Sequence, residues 1–158
     1  MPSFSAAVIL LAAAAAQDPP PAATTTQTKH LTIATSISAP VAQSRRVSLL
    51  VDVTPKNTMH VYAPGQDGYL TIALTLEPNP AFTAAKATYP AGEKIVMEIL
   101  KETQTVYSRP FRIAQDITLR PGAAPVTVTG TLRYQACDDA ICYLPTSVPV
   151  QWTIRRGP

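Results

Sequence analysis

The sequence predicts an all-β protein, an antiparallel β-sandwich, and three observations support this. Apolar and polar residues alternate with a period of two from Leu31 onward, which is typical of half-buried strands. Clusters of Pro, Gly, Asn and Asp separate these runs, as turns do. The chain also has 16 prolines against 6 glycines, a balance that favours extended and turn segments over long helices. With 158 residues, we expect a single core.

The N-terminus predicts a targeting segment. Residues 1–16 form an uncharged, Ala-rich apolar run that ends in three alanines, as a signal-peptide cleavage site does. The run is shorter than the roughly 20 apolar residues that span a bilayer, so we expect export and no membrane insertion after cleavage. Residues 17–28 are rich in Pro and Thr and have no apolar periodicity, which predicts a solvated linker. The folded domain is expected over residues 29–158.

The strands are predicted in order from the alternation. Nine runs qualify, and they are residues 31–37, 47–53, 59–62, 70–76, 82–89, 95–99, 111–119, 126–136 and 148–154. Eight to nine short strands at this spacing are typical of an antiparallel sandwich. Trp152 shares the apolar parity of the last run, so we expect it to anchor the core there.

Charge and motifs exclude several functions. The net charge is +3, and the basic residues are scattered instead of forming a stripe that follows phosphates, so nucleic acid is not an expected partner. No phosphate-binding Gly loop, paired-carboxylate site or Ser-His-Asp order is visible in the sequence. We therefore expect no cofactor.

The only two cysteines are the chemical feature of the chain. Cys137 and Cys142 lie in the segment YQACDDAICYLP, residues 134–145, and an even cysteine count in an exported protein predicts a disulfide. Bridging requires Cα atoms within about 7 Å, whereas five extended steps would separate them by roughly 16 Å. The chain must therefore reverse, with residues 138–141 as a hairpin-type loop.

Because the loop is short, we expect this disulfide to add little to the stability of the fold. Closing six residues stabilises a fold by about 2 kcal/mol, against nearly 5 kcal/mol for a loop of 100 residues. Tyr134 and Ala136 lie on the apolar parity of their strand, which places Cys137 on the opposite side, towards solvent or a partner. Asp138 and Asp139 disfavour a further negative charge, so we expect slow exchange with small thiols. Spacing alone leaves an exchange-active and a structural disulfide equally open.

The cysteine segment resembles the redox motif of a known family, the N-terminal periplasmic domain of the DsbD-type thiol-disulfide interchange protein. That motif also has Tyr-Gln before the first cysteine and an aromatic-Pro stretch after the second. The resemblance implies an immunoglobulin-like sandwich in which Cys142 forms the mixed disulfide with partners and Cys137 resolves it. His60 and Tyr62 match the aromatic residues that lie near the bridge in the family, and the resemblance implies that they help to bind the partner. Tyr143, beside Cys142, is predicted to contact the partner.

The chain departs from the family in three ways. Four residues separate its cysteines, where well-known members have five. The family's cap loop has no clear counterpart; residues 95–104 take its approximate place, with Met97, Ile99 or Leu100 as candidate covers. Membrane-spanning and thioredoxin-like domains are absent from the sequence, so an electron donor is expected to act in trans. The resemblance thus implies a periplasmic monomer, a component of protein-disulfide reduction, whose partners are thioredoxin-like oxidoreductases and a membrane electron carrier.

Other hypotheses remain beside this one. The first is a secreted immunoglobulin-like module that binds a protein partner and whose disulfide is purely structural. Zinc is disfavoured because two cysteines with His30 and His60 lack the usual ligand spacing. A Cu(I) site at Met59, His60 and Met97 is disfavoured because Met59 lies on the apolar parity of its strand and is expected in the core.

Overall fold

A computed structural model describes residues 23–38, 44–98, 101–123 and 125–155. Twelve strands make up this described part: β1 Thr24–Gln27, β2 Leu31–Ile37, β3 Arg46–Pro55, β4 His60–Tyr62, β5 Ala73–Leu76, β6 Phe82–Ala84, β7 Glu93–Met97, β8 Glu102–Tyr107, β9 Phe111–Leu119, β10 Val126–Tyr134, β11 Ala136–Cys137 and β12 Thr146–Ile154. Their pairings are antiparallel, which confirms the predicted fold class. Within these residues, no helix has the length and hydropathy to cross a bilayer.

The strands form a sandwich of three sheets. One sheet has five strands in the order β1-β2-β3-β9-β6, the second has three in the order β12-β10-β5, and the third has four in the order β11-β4-β8-β7. The second and third sheets adjoin, because β11 begins two residues after β10 ends and an isolated bridge joins Tyr62 to Thr71, just before β5.

Period-two alternation builds the core. In β3, residues Val47, Leu49, Val51 and Val53 are buried while the residues between them are partly exposed, and β9, β10 and β12 alternate in the same way. Trp152 is buried, and its indole Nε1 donates a hydrogen bond to the carbonyl of Leu50 at 3.1 Å. This contact joins β12 to β3 across the sandwich and confirms Trp152 as a core anchor.

The predicted linker is wrong in its second half, because Thr24–Gln27 forms strand β1. The strand pairs with β2 in the register Thr24↔Thr35 to Gln27↔Thr32, and it lies at the edge of its sheet. Threonine favours extended backbone, and an edge strand on a solvated face needs no apolar alternation, which is why the pattern did not predict it. The signal peptide over residues 1–16 lies outside the described residues and stays a prediction.

A polar strand was also missed. Where the alternation predicted one strand over residues 95–99, the chain forms a hairpin of β7 and β8 with the register Glu93↔Val106 to Met97↔Glu102. Four of the six residues in β8 are polar, so its alternation is hidden. The candidate cap segment, residues 95–104, therefore includes parts of β7 and β8, and Ile99 and Leu100 lie outside the described residues.

Glu93 ties the two ends of this hairpin together. Its Oε1 accepts hydrogen bonds from the backbone N–H and the hydroxyl of Ser108, and its Oε2 pairs with Arg109 Nη2 at 2.7 Å. These donors, the Ser108 hydroxyl first, lower the pKa of Glu93 from 4.5 to about 2. A carboxyl whose pKa is depressed in the folded state adds stability above its ordinary pKa. That contribution is lost as the pH falls from about 4.5 towards 2.

We predict that Glu93→Gln lowers the free energy of unfolding by about 1 kcal/mol at neutral pH, because charge-assisted hydrogen bonds are replaced by weaker neutral ones. The difference from the wild type should shrink steadily as the pH falls below about 4.5. Urea unfolding over this pH range measures it. Glu77→Gln is the matched control, since Glu77 is exposed. A loss that stays constant with pH would contradict the assignment.

Candidate functional site

The two cysteines form a disulfide at the tip of a tight hairpin. Cys137 ends β11, four residues separate it from Cys142, and the Cα atoms of the two cysteines are 4.0 Å apart. Two backbone hydrogen bonds close the hairpin: Asp138 N–H donates to the carbonyl of Ile141 at 2.9 Å, and Tyr143 N–H donates to that of Ala136 at 2.8 Å. The chain reversal predicted for residues 138–141 is confirmed.

Asp138 organises this loop from within. Its Oδ1 accepts the backbone N–H groups of Ala140 and Ile141, both at 2.8 Å, and its Oδ2 accepts the hydroxyl of Tyr143 at 2.9 Å. The Ile141 and Ala140 hydrogen bonds are the main reasons that the pKa of Asp138 is lowered. The carboxylate therefore stays charged and is committed to the loop, which keeps its shape through contacts independent of the disulfide.

The two sulfur-bearing residues differ sharply in exposure. Cys142 is exposed, whereas Cys137 is 1% exposed. The expectation that Cys137 faces solvent is wrong, because the strand is interrupted at Gln135 and its parity does not continue through the interruption. Both Ala136 and Cys137 are buried, and Gln135 Nε2 instead donates to the carbonyl of Tyr143 at 3.0 Å. The accessible member of the pair is Cys142.

Tyr62 lies beside both sulfurs. Its hydroxyl oxygen is 3.6 Å from Cys142 Sγ and 3.6 Å from Cys137 Sγ, and the residue is buried. Burial is the main reason that the pKa of Tyr62 rises to about 12, and the nearby Tyr69 and Glu102 act in the same direction. The hydroxyl therefore stays protonated at physiological pH and is available as a hydrogen-bond donor to sulfur.

Tyr62 is supported by three hydrogen-bonded residues that the sequence analysis did not identify: Tyr69, Glu102 and Gln104. Tyr69 stacks on Tyr62 with ring centroids 4.2 Å apart, and its hydroxyl donates to Glu102. Gln104 Nε2 donates to the Tyr69 hydroxyl at 3.0 Å and to Glu102 Oε1 at 2.7 Å. Gln104 is fully buried on the same parity as Val106 in β8. Since the alternation did not predict β8, no signal in the sequence marked Gln104 as a core residue.

His60 lies directly across from Cys137. Strands β4 and β11 pair in the register Ala136↔Val61 and Cys137↔His60, and the His60 ring meets Tyr62 edge-on with centroids 5.8 Å apart. The side chain is 4% exposed, and within the described residues its Nε2 has no hydrogen-bond partner. Burial lowers the pKa of His60, and the charges of Asp139 and Asp138 partly oppose this. The imidazole is therefore neutral near pH 7.

Tyr143 connects the hairpin to the segment between β1 and β2. Its ring packs on the ring of His30 with centroids 4.5 Å apart, and Lys29 Nζ lies 4.8 Å from its centroid. The hydrogen bond to Asp138 is the main cause of the raised pKa of Tyr143. Of the three residues predicted to contact a partner, His60 and Tyr62 are thus buried beside the sulfurs, and only Tyr143 is partly exposed.

Two exposed apolar residues lie close to Cys142 in the chain. Ile141 is 56% exposed and Leu144 is 87% exposed, and these two side chains flank the accessible cysteine. Towards the interior, Ile95 and Tyr69 pack against the cluster of Tyr62, Val106 and Cys137. The hairpin of β7 and β8 thus covers the buried side of the site through Ile95, whereas Met97, proposed from the sequence, is not among the residues packed on this cluster.

The metal hypotheses gain no support from the side-chain arrangement. In the part of the chain that the structure describes, no group of three His, Cys, Asp or Glu side chains is placed to hold a metal ion. Met59 packs against the main core, as its parity predicted.

Comparisons with known proteins identify what this arrangement resembles. Residues 28–152 match the family described as thiol:disulfide interchange protein DsbD, N-terminal. The N-terminal periplasmic domain of ScsB from Proteus mirabilis is 11% identical, with a TM-score of 0.58 over 78% of this chain and 46% of that one. This likeness supports the fold, and the chain spans less than half of the ScsB structure.

Two structures from Neisseria meningitidis are also similar. The reduced DsbD N-terminal domain is 18% identical, with a TM-score of 0.48 over 69% of this chain and 78% of that one. The structure of the complex between the DsbD and PilB N-terminal domains gives 17% identity and a TM-score of 0.47, over 66% of this chain and 73% of that one. A comparison with curated protein sequences finds no match.

We predict that reduction of the disulfide with dithiothreitol lowers the free energy of unfolding by about 2 kcal/mol and leaves the domain folded. The loop that the disulfide closes is short, and the hydrogen bonds of Asp138 hold the same turn. Urea unfolding with and without the reductant measures the difference. The control is the variant with both Cys137→Ser and Cys142→Ser, whose stability should not respond to dithiothreitol. A loss of free energy of unfolding twice this size or more would show that the disulfide is structural.

Proposed function

Because the chain belongs to the family of DsbD N-terminal domains, we propose that it is a periplasmic thiol-disulfide interchange module that relays reducing equivalents through Cys137 and Cys142. The observation that carries the proposal is the unequal exposure of the pair, with Cys142 exposed and Cys137 1% exposed. Exchange between proteins needs one sulfur that an incoming thiolate can reach. It also needs a second sulfur close enough to complete the reaction within the domain.

The relay proceeds in balanced steps. A thiolate of a reduced partner attacks Cys142 Sγ, the bond between the two cysteines breaks, and its electron pair passes to the sulfur of Cys137. The partner's second thiolate then attacks its own sulfur in the mixed disulfide, which releases the domain with both cysteines reduced. In the second half, Cys142 attacks a downstream disulfide and Cys137 resolves the product. Two electrons enter the domain and two leave it.

The proposed partners are thioredoxin-like oxidoreductases of the periplasm and a membrane electron carrier that acts in trans on the monomeric domain. The surface supports a protein partner, because Ile141 and Leu144 are exposed on either side of Cys142 and Tyr143 lies between Cys142 and Leu144 in the chain. Apolar and aromatic side chains of this kind form the water-excluding centre of protein interfaces. Export by the segment 1–16 is part of the same proposal.

The alternative, a binding module with a purely structural disulfide, requires the bridge to hold the loop. The loop already has the hydrogen bonds from Ala140 N–H, Ile141 N–H and Tyr143 OH to Asp138. Its shape therefore has a second source, and the bridge is left available for chemistry.

We predict that Cys137→Ala traps a stable mixed disulfide between Cys142 and an oxidised thioredoxin-like protein, because the resolving sulfur is missing. Cys142→Ala should trap little or none, since Cys137 is buried. Non-reducing electrophoresis and mass measurement of the adducts distinguish the two variants. In glutathione buffers, the wild-type pair should show a potential above about −300 mV. A lower potential, together with no adduct in either variant, would favour the structural alternative.

We predict that Leu144→Ser slows exchange with a thioredoxin-like protein by about tenfold, which corresponds to about 1.4 kcal/mol of lost contact. Exchange with glutathione should be unchanged, because a small thiol needs no apolar docking surface. The matched control is Val96→Ser. Val96 is 64% exposed but belongs to β7, which β4 and β8 separate from β11. Equal effects of the two substitutions would show that Leu144 does not belong to the docking surface.

A further inference from the structure

A buried histidine faces the buried cysteine. His60 and Cys137 are direct partners in the antiparallel pairing of β4 with β11, and such partners point to the same face with Cβ atoms about 4.5–5.5 Å apart. Tyr62, two residues further along β4, shares that face, and its hydroxyl is 3.6 Å from each sulfur. The imidazole of His60 is therefore on the same side of the sheet as the disulfide.

Resolution of a mixed disulfide requires the Cys137 thiol to lose its proton. The thiolate is the attacking species, yet Cys137 is 1% exposed, and burial disfavours the charged form. A buried thiol in these surroundings needs a local proton acceptor. Solvent reaches Cys142 but not the sulfur that must react next.

Asp139 is exposed in the cysteine loop, whereas Asp138, Tyr62 and His60 are at least partly buried beside it, and one of these three is suited to accept the proton. Asp138 uses both carboxylate oxygens for Ala140, Ile141 and Tyr143. Tyr62 has a pKa raised to about 12, so its hydroxyl donates and does not accept the proton. His60 is 4% exposed, and within the described residues its Nε2 lacks a hydrogen-bond partner. A buried nitrogen without a partner is costly, which suggests a role that the oxidised state does not display.

We propose that His60 accepts the proton of the Cys137 thiol as Cys137 attacks the mixed disulfide on Cys142. The proposal rests on the proposed function and adds a residue to it. The thiol proton moves to the imidazole, directly or through one water, and the Cys137 sulfur bonds to Cys142 Sγ. The bond between Cys142 and the partner then breaks, and the partner leaves as a thiolate. The domain is oxidised, the partner is reduced, and His60 passes the proton on.

The charges around His60 suit this transfer. Burial lowers its pKa, which keeps the imidazole neutral and ready to accept, while Asp139 and Asp138 favour the imidazolium once it forms. Tyr62 lies edge-on to the ring. Behind Tyr62, the Tyr69 hydroxyl and the Gln104 amide are committed to Glu102. In the part of the chain that the structure describes, the carboxylates that act on His60 are those of the cysteine loop.

Stopped-flow kinetics with the aromatic disulfide dithionitrobenzoate test the proposal without a protein partner. The reduced domain should release the coloured thiolate in two phases: a bimolecular phase from attack by Cys142, and a unimolecular phase from attack by Cys137. His60→Phe keeps an aromatic ring and removes the base. We expect it to slow the second phase by about 10²-fold at neutral pH, the lower end of what general base catalysis contributes. The first phase should stay unchanged.

The pH profile separates a proton acceptor from a packing residue. The deficit of His60→Phe should disappear at alkaline pH, where hydroxide ionises the Cys137 thiol. The matched control is His30→Phe, because His30 is also buried with an unpartnered Nε2 in the described residues but lies against Tyr143; both of its phases should be normal. His60→Gln is a second variant that keeps a polar side chain and lacks the base, and it should reproduce the deficit.

An unchanged second phase in His60→Gln, or a deficit equal in both phases or independent of pH, would overturn the proposal. The failure of the proposed function would look different. In that case the wild-type domain would give both phases with dithionitrobenzoate and yet form no mixed disulfide with thioredoxin-like proteins.

Discussion

The redox site depends on the point where the chain changes sheets. After Tyr134 the backbone leaves β10 in the three-stranded sheet, and at Ala136 it pairs with β4 in the four-stranded sheet. Gln135, between them, breaks the alternation of the strand. The pairing with β4 turns Cys137 inward against His60 and Tyr62, and the hairpin that follows leaves Cys142 outside. A continuous strand would have placed Cys137 on the solvent face and removed the difference between the two sulfurs.

The main core of the sandwich contains neither cysteine. The alternating strands β3, β9, β10 and β12 bury one contiguous apolar cluster, and Trp152 links the two layers through the Leu50 carbonyl. The cysteine loop has its own anchor in Asp138. A disulfide that closes so short a loop is expected to contribute only about 2 kcal/mol, so it can open and close without unfolding the domain, which is the physical condition for a relay.

The sequence predicted those parts of the molecule in which one face is buried and the other is solvated. Alternation identified the long strands and Trp152, and the cysteine spacing required the chain reversal. The alternation did not predict β1 or β8, because the residues of both strands are largely polar. β1 lies at a sheet edge, and β8 buries the hydrogen-bonded Gln104 in place of an apolar residue. The predicted exposure of Cys137 was wrong for a related reason. Alternation along a strand predicts exposure only from neighbouring residues, whereas the pairing of β11 with β4 joins residues more than 70 positions apart. The stacking of Tyr69 on Tyr62 likewise depends on tertiary placement.

The division between an exposed and a buried cysteine has a chemical consequence. A thiol that solvent and partners reach will react with any accessible disulfide, whereas a buried one reacts only with the sulfur beside it. Burial therefore gives Cys137 selectivity, but it also removes the water that would take up its proton. The apolar surface formed by Ile141 and Leu144 adds to this problem, since a docked partner excludes water from Cys142 as well. A site built in this way must carry its own proton acceptor. On the face of β4 that meets Cys137, the neutral imidazole of His60 is the group that meets this requirement.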